Sequence, residues 1–362
     1  MYIDVLLQIN AFDDMTFTYN VPLNMQKDIE LGKRVLIPFG KKELKGIILN
    51  IKYTNESDYE IKDIIEIIDD EPILNKELLE LGLYMKETYL CPLITCYQSM
   101  IPSALKFNNT ITNIKYDTYI IKNKEYQTDK KSEINILNLF NNNEKIKKSD
   151  ITNKISLKKL LELEVLKEIK EEKYRINDNN ELNKLNVLTP NQLETYNYIN
   201  NSSKDIILLR GVTGSGKTEI YMHLIKDVIS SNKTAIVLVP EISLTTQLIN
   251  RFKDIFGNKV AIIHSSLSDG ERYDEWRKIK RSEVDLVIGT RSAIFAPISN
   301  LGLIIIDEEQ EDSYKQENNP KYRTIDIAIK RMEYNEAKLW LGCATRSRDA
   351  YARSSVGKYV RI

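Results

Sequence analysis

The chain has 362 residues, 42% of them hydrophobic, and 52 basic side chains balance 52 acidic ones. That length predicts two or three domains with real cores, and the zero net charge excludes a uniformly basic coat while leaving room for local phosphate-binding grooves. Three cysteines without a CxxC pair exclude a disulfide framework and a zinc site and fit a reduced cytosolic protein. Residues 1–14 carry Asp4, Asp13 and Asp14 without a basic start and do not read as a signal peptide, and no apolar run reaches membrane-spanning length.

Residues 1–105 read as a β-rich unit. Strand-like runs fall at 2–9, 16–21, 34–38, 45–51 and 61–67, with turn signals at Leu31-Gly32-Lys33 and Phe39-Gly40-Lys41. A helix is predicted over 75–89 from the spacing of Leu78, Leu79, Leu81, Leu83 and Met85. The polar, Asn/Lys-rich stretch 106–131 reads as a linker with some extended structure. Over 132–180 the pattern suggests helices at 133–141, 148–151 and 157–163, then a hairpin of 165–169 with 173–176 across Lys170, Glu171 and Glu172. Three helices and a hairpin predict a winged helix.

From residue 187 onward strands alternate with helices. Apolar strands are predicted at 206–209, 234–239, 260–264, 286–289, 303–306 and 339–342, which makes 187–362 a parallel doubly wound lobe of the RecA type. The first of these strands runs into Gly211-Val212-Thr213-Gly214-Ser215-Gly216-Lys217-Thr218-Glu219. This is the P-loop pattern in its expected context of strand, glycine-rich turn and helix. Glycines let successive N–H groups face phosphate oxygens, and the helix start adds its positive dipole end. Lys217 is expected on the β- and γ-phosphates of ATP and Thr218 on Mg²⁺.

About ninety residues later the run Leu303-Ile304-Ile305-Ile306 ends in Asp307-Glu308-Glu309-Gln310. Carboxylates at a parallel strand's C-terminal end sit at the ligand edge of such a sheet, with Asp307 expected on the metal and Glu308 on the attacking water. Gln192, in Leu188-Thr189-Pro190-Asn191-Gln192, is a candidate partner for adenine or simply a helix-start residue. Hydroxyls and one arginine at Glu241–Thr245, His264-Ser265-Ser266, Thr290-Arg291-Ser292 and Cys343-Ala344-Thr345 suit a nucleic-acid backbone crossing the sheet edge.

The order GVTGSGKTE, LVPEISLTTQ, HSSLSDGER, IGTRSAIFAP, LGLIIIDEE, DSYKQ and GCAT resembles the PriA (primosomal protein N′) family of superfamily 2 helicases. Phe17-Thr18-Tyr19-Asn20-Val21-Pro22 and the segment from Gly32 to Gly40 are similar to that family's DNA 3′-end-binding domain. The resemblance implies a multidomain chain of three parts: β-rich DNA-binding domain, winged-helix domain and α/β RecA-like P-loop lobe. It implies an ATP- and Mg²⁺-dependent 3′-to-5′ DNA helicase in the bacterial cytoplasm, nucleoid-associated, that recognises abandoned forks through a 3′ end and single-stranded DNA. Primosome and single-strand-binding proteins are its implied partners. Phe17, Thr18, Gly40 and Lys62 correspond to a pocket for the terminal nucleotide. Tyr314, Lys315 and Tyr322 belong to an aromatic-rich loop linking DNA contact to hydrolysis.

The chain departs from the family at Thr18, where Asp is usual, at Gln310 in place of a histidine, at Ile325 in place of an arginine, and at Ala344-Thr345-Arg346-Ser347 in place of ATP-S. Family members continue past the position of Ile362 into a second lobe, a zinc module and a C-terminal domain. The sequence therefore also admits a chain that binds ATP and forked DNA without unwinding.

Overall fold

The computed structural model describes residues 1–9, 14–54, 61–107, 114–176, 182–212 and 214–344, with the backbone of 360–361. It divides into one compact unit made of residues 1–112 and 178–362 and a second made of Asn113–Asn177.

The first unit begins with strands β1 (Tyr2–Leu7), β2 (Thr16–Asn20), β3 (Arg34–Phe39), β4 (Lys42–Lys52) and β5 (Glu66–Ile67). They form a sheet in the order β2-β1-β4-β3-β5 in which neighbouring strands pair antiparallel. Period-two alternation gives it two apolar faces. Ile3, Val5, Tyr19, Val35, Ile37 and Ile48 fill one core. Leu6 and Ile47 turn the other way, toward helices α1 (Lys76–Tyr89) and α2 (Leu93–Met100). Helix α1 starts at Asn75, whose side chain accepts the Leu78 N–H as an N-cap. The run 61–67, expected as a strand, contributes only a bridge at Asp63 and the two residues of β5.

The second unit holds β6 (Tyr116–Lys122), α3 (Lys131–Asn138), β7 (Lys145–Lys147), α4 (Lys154–Glu162) and β8 (Leu166–Glu172), with β6 central in a β7-β6-β8 sheet. Three sequence expectations change here. Strand β6 lies inside the stretch read as linker. The hairpin across Lys170, Glu171 and Glu172 is absent, because β8 runs unbroken along the whole of β6 from Leu166↔Lys122 to Glu172↔Tyr116. Those three residues include none of the usual turn formers. The partner strand meanwhile offers ion pairs, with Asp117 between Lys147 at 2.9 Å and Lys173 at 3.0 Å. The expected helix at 148–151 is a single 3₁₀ turn. Ile120, Ile136, Ile151, Leu157, Leu160 and Val165 make this unit's own core.

The P-loop lobe completes the first unit. It comprises α5 (Pro190–Asn201), β9 (Ile206–Arg210), α6 (Lys217–Ser230), β10 (Thr234–Leu238), α7 (Thr246–Phe256), β11 (Val260–Ile263), α8 (Asp269–Lys280), β12 (Leu286–Gly289), β13 (Leu301–Ile306), α9 (Thr324–Asn335), β14 (Lys338–Cys343) and β15 (Val360–Arg361). The strands form a parallel sheet ordered β11-β12-β10-β13-β14-β9-β15. Ile207, Leu209, Val237, Ile262, Ile288 and Ile305 point to the face covered by α5, α6 and α7. Their neighbours Leu208, Ile236, Leu238, Ile263, Ile304 and Ile306 point to the face covered by α8, α9 and, across the lobe boundary, α1 and α2. Both faces are buried, so the strands read as continuous apolar runs. Among the described residues no helix is long and apolar enough to cross a membrane.

Candidate nucleotide site and nucleic-acid interface

Strand order decides what meets at the sheet's C-terminal edge. The P-loop leaves β9 and Asp307-Glu308 leave β13, while β14 runs between those two strands. Gly216 takes φ 85° as the N-cap of α6, a left-handed conformation that glycine adopts without penalty. The turn is closed by Ser215 N–H donating to Val212 O at 3.0 Å and Gly211 N–H donating to Cys343 O at 3.0 Å. Gly211, Val212, Gly214 and Ser215 line its exposed or half-exposed rim, and Thr213 lies outside the described residues.

Lys217 is buried and bends back over the loop. Its Nζ donates to Gly211 O at 2.7 Å and lies 3.2 Å from Glu308 Oε1. The other carboxylate oxygen, Glu308 Oε2, accepts from Gln310 Nε2 at 2.7 Å and from the Ala344 N–H at 3.0 Å. Burial pushes the Glu308 carboxyl up, but Gln310, Lys217 and the Ala344 N–H together outweigh it and hold the pKa below the ordinary value. Asp307 shifts the opposite way. Burial, then the Glu308 charge, raise its pKa, against the opposing pull of Lys217 and the Tyr221 hydroxyl. Tyr221 donates to Asp307 Oδ1 at 3.1 Å. A side chain on β14 at Gly342 would collide with both, its Cβ falling 1.9 Å from Tyr221 Oη and 2.6 Å from Asp307 Oδ1. Thr218 is half-buried on the first turn of α6.

Two residues assigned to the nucleotide have their side chains engaged by the protein, Gln192 against the P-loop itself and Glu219 away from it. Gln192 closes a capping box: its Oε1 accepts from the Thr189 N–H at 2.9 Å and its Nε2 donates to Gly216 O at 3.3 Å. Glu219 is buried, with its carboxylate on Arg251 of α7 and on Asn186 Nδ2 at 3.4 Å. Sequence reading missed Tyr221, although it stands four residues after Lys217 on one helix, the spacing of side chains that share a face.

Burial corrects the reading of the aromatic-rich loop. Tyr314 and Tyr322 are 5% and 4% exposed, so neither ring is free to stack on a base. Tyr314 donates its hydroxyl to Asp307 O at 2.7 Å, and Tyr322 meets Phe295 edge-to-face with centroids 5.1 Å apart. Both belong to the apolar cluster that also holds Ile294, Phe295 and Ile327, which rewards burying a ring more than exposing it. Arg291 grips the same loop, its Nη1 donating to Ser313 O at 3.1 Å and Lys315 O at 2.6 Å. Lys315 itself is exposed and paired with Asp312 at 2.7 Å. Thr290 is buried, its N–H on Ile263 O at 3.0 Å. Of the departures from the family, Ile325 is partly buried against the core at the start of α9, while Thr345, Arg346 and Ser347 lie outside the described residues.

At the edge of the N-terminal sheet, β2 carries Phe17 and Thr18 on opposite faces. Phe17 packs edge-to-face on Phe39, centroids 5.2 Å apart, which brings Gly40 of the adjoining turn nearby. Lys62 is exposed, and its carbonyl accepts the Asn20 N–H at 2.9 Å, which docks it beside the end of β2. Thr18 stands opposite Asp4 in the β1–β2 register and donates to Asp4 Oδ1 at 2.8 Å. Asp4 also receives Asn50 Nδ2 at 3.1 Å and Lys52 Nζ at 2.6 Å on Oδ2. Burial works against the Asp4 charge, but these donors outweigh it and its pKa falls below the ordinary value.

Among the described residues there is no group of three His, Cys, Asp or Glu side chains placed to hold a metal ion. The 3′DNA-binding domain of PriA matches residues 4–102, and the DEAD/DEAH box helicase family matches residues 189–352. Replication restart protein PriA of Bacillus subtilis (strain 168) is 35% identical, covering 99% of this chain and 55% of its own length. The protein of the same name in Chlamydia muridarum is 32% identical over 99% of this chain and 51% of its own. That of Haemophilus influenzae is 30% identical over 96% and 50%. Among solved structures, the UvsW helicase from bacteriophage T4 overlaps 51% of this chain and 63% of its own, with 20% identity and a TM-score of 0.38, too low to add to the argument. The chain thus carries a PriA-type 3′DNA-binding domain and a helicase lobe, is similar to PriA along nearly its whole length, and spans about half the length of the curated relatives it matches.

Proposed function

We propose that this chain is the fork-recognising and nucleotide-binding part of an ATP-dependent 3′-to-5′ DNA helicase of replication restart. The observation that carries the reading is the meeting of Lys217 Nζ with Glu308 Oε1 at 3.2 Å, which brings a P-loop cation and a general-base carboxylate to one sheet edge. The residues fit a nucleoside triphosphate with Mg²⁺. Lys217 is satisfied for now by a backbone carbonyl and a carboxylate, oxygens of the kind phosphates present. When bound, the nucleotide and its metal supply a cleavable phosphoanhydride bond. Lys217 and the amides of the Gly211–Thr218 loop would hold the phosphates, and Thr218 and Asp307 the metal. Glu308 would orient and deprotonate water, with Gln310 and the Ala344 N–H fixing its carboxylate.

On the DNA side, Phe17, Gly40 and Lys62 would take a nascent 3′ end, and Arg291 the backbone of a strand. The unit of residues 113–177 would act as a winged-helix module, with α4 as its DNA-facing helix. Partners would be forked DNA, single-strand-binding protein and primosome components, in the bacterial nucleoid. The test is anisotropy with forked, tailed and plain duplex DNA, paired with ATPase measurements. Preference for a fork with a free 3′ end, and ATPase activity lost in Glu308→Gln, are expected. Equal binding to plain duplex would overturn the fork assignment.

A further inference from the structure

A cavity of about 220 Å³ lies beside the nucleic-acid edge. It is bounded by residues 99–106 at the close of the end-binding domain, by Ile263 at the end of β11, by the turn after β12 and by α8. Ile101, Ile263 and Phe295, all buried, give it apolar walls. Trp276 of α8 adds an indole ring held by packing alone. That ring stacks on Tyr273, centroids 6.2 Å apart and planes at 18°, and its N–H is buried without an acceptor among the described residues.

Two cations line the same cavity. Lys106 is half-buried and is joined to no carboxylate among the described residues. Arg272 donates Nη2 to Ser265 O at 3.1 Å and Leu267 O at 3.3 Å, which curls the loop after β11 around it. Carbonyls accept those bonds without cancelling the charge. Ser292 stands exposed at the rim, next to Arg291.

These features narrow the ligand. Cations in the lining favour an anion, but a bare phosphate has no use for ring and aliphatic walls. A planar ring joined to an anionic group meets both, and a nucleotide is such a molecule. Its base has a π-face that stacks on an aromatic side chain whatever the sequence, and its phosphate suits a lysine. The volume is below the roughly 300 Å³ at which pockets for drug-sized ligands begin, so the cavity suits one ring system and not a stack. A base enters such a pocket only when it has left its neighbours and its pairing partner, which costs least in a single strand.

We propose that this cavity seats one unpaired base swung out of the strand that crosses the sheet edge at Arg291, with Lys106 on the adjoining phosphate. The chain thereby reads that strand as single at one nucleotide, without regard to sequence. This rests on the reading that a strand crosses that edge. The test is anisotropy at fixed salt, with the full chain and forks whose unpaired arm carries one abasic site moved a nucleotide at a time. The branch fixes the register. One position is expected to lower affinity about tenfold, and the others to stay within about twofold of the intact fork. Ser99→Phe sets a ring into the cavity from α2. It should lower affinity for the intact fork about tenfold, so that the sensitive position no longer matters; a sensitive position that persists in this variant overturns the proposal. Should Ser99→Phe fail to fold, Lys106→Gln decides. It should lower the slope of log affinity against log salt by about 1, and an unchanged slope overturns the proposal. Thymidine monophosphate tests free nucleotide as the occupant, since it lacks the β- and γ-phosphates that Lys217 is expected to hold. Trp340→Phe removes the other of the two tryptophans, leaving Trp276 fluorescence as the reporter. The monophosphate should bind no tighter than about 1 mM; micromolar binding would assign the cavity to a free nucleotide and overturn the strand. An abasic scan without any sensitive position, in a chain that binds forks, overturns the seat alone. A chain that binds no fork overturns the proposed function itself.

Discussion

The nucleotide edge and the end-binding edge of this chain hold their polar groups in opposite ways. At the first, Lys217, Glu308, Gln310 and the Ala344 N–H satisfy one another across three strand ends, and Tyr221 reaches Asp307. At the second, Phe17 leans on Phe39, Lys62 is exposed, and Thr18 turns to the other face, toward Asp4. A site of the first kind is built before its ligand comes, and removing one member disturbs the others. A site of the second kind is a row of nearly independent contacts, each of modest worth.

The sharpest way to break the contrast is at Tyr314, which sequence reading put with the DNA contacts and the structure puts in the core. Tyr314→Ala should cost about 3–5 kcal/mol of stability, the range for emptying a buried aromatic site. A loss below about 1 kcal/mol in denaturant unfolding, the scale of a surface substitution, would return the ring to the surface and to DNA.

At the nucleotide edge, Lys217→Ala should weaken ATP·Mg²⁺ binding by about 1.5–3 kcal/mol, the worth of a charge-assisted hydrogen bond. Calorimetry giving equal affinities would remove the P-loop assignment. The two adjacent carboxylates should answer substitution with opposite signs. The native state disfavours ionised Asp307, so its raised pKa costs stability once pH exceeds the unfolded value, and the cost is complete above the folded value. Asp307→Asn should therefore raise the Tm of the nucleotide-free chain at neutral pH. Glu308, with its depressed pKa, stabilises above its unfolded value and loses that contribution as pH falls through the folded one. Glu308→Gln should lower Tm at neutral pH. Shifts of the same sign in both variants would refute the mutual pinning described here.

Much of the nucleotide site was legible because a P-loop and an acidic strand end are local in sequence and the sheet edge brings them together. The alternation of apolar strands and helices placed the lobe for the same reason. What sequence reading missed depends on which way a side chain faces. Tyr314 and Tyr322 look like an exposed aromatic pair until the cluster around Phe295 claims them. Glu219 looks like part of the P-loop until Arg251 draws its carboxylate toward α7. In the unit of residues 113–177, β6 hid in a polar stretch because its partner β8 lies some fifty residues on. No local signal joins strands so far apart.

At the end-binding edge, Phe17→Ala should weaken binding to a fork with a free 3′ end by about 1–3 kcal/mol, if its ring turns from Phe39 to a base. Ionic strength must be held fixed, because phosphate contacts alone respond to salt. Unchanged fork affinity in anisotropy would leave Phe17 as a packing residue of the sheet.

The smallest expected effect sharpens the same edge. Thr18→Asp restores the residue usual in the family but sets a second carboxylate directly across β1–β2 from Asp4. It also replaces the hydroxyl that now donates to Asp4 Oδ1. Like charges in a cross-strand pair cost about 0.2–1 kcal/mol, and Lys52 and Asn50 already spend their donors on Asp4. The new pair would share a raised pKa, so the penalty should be present at neutral pH and fade as acid protonates one of the two. Urea unfolding at pH 7 and at pH 4 reads it. A penalty equal at both values would mean that the lost hydroxyl, and not charge, sets the cost. The same variant tests the end group, through its preference for a 3′-hydroxyl over a 3′-phosphate. If Asp4 already supplies the carboxylate this edge needs, Thr18→Asp leaves that preference unchanged. A marked gain would mean that Thr18 had left the edge without one.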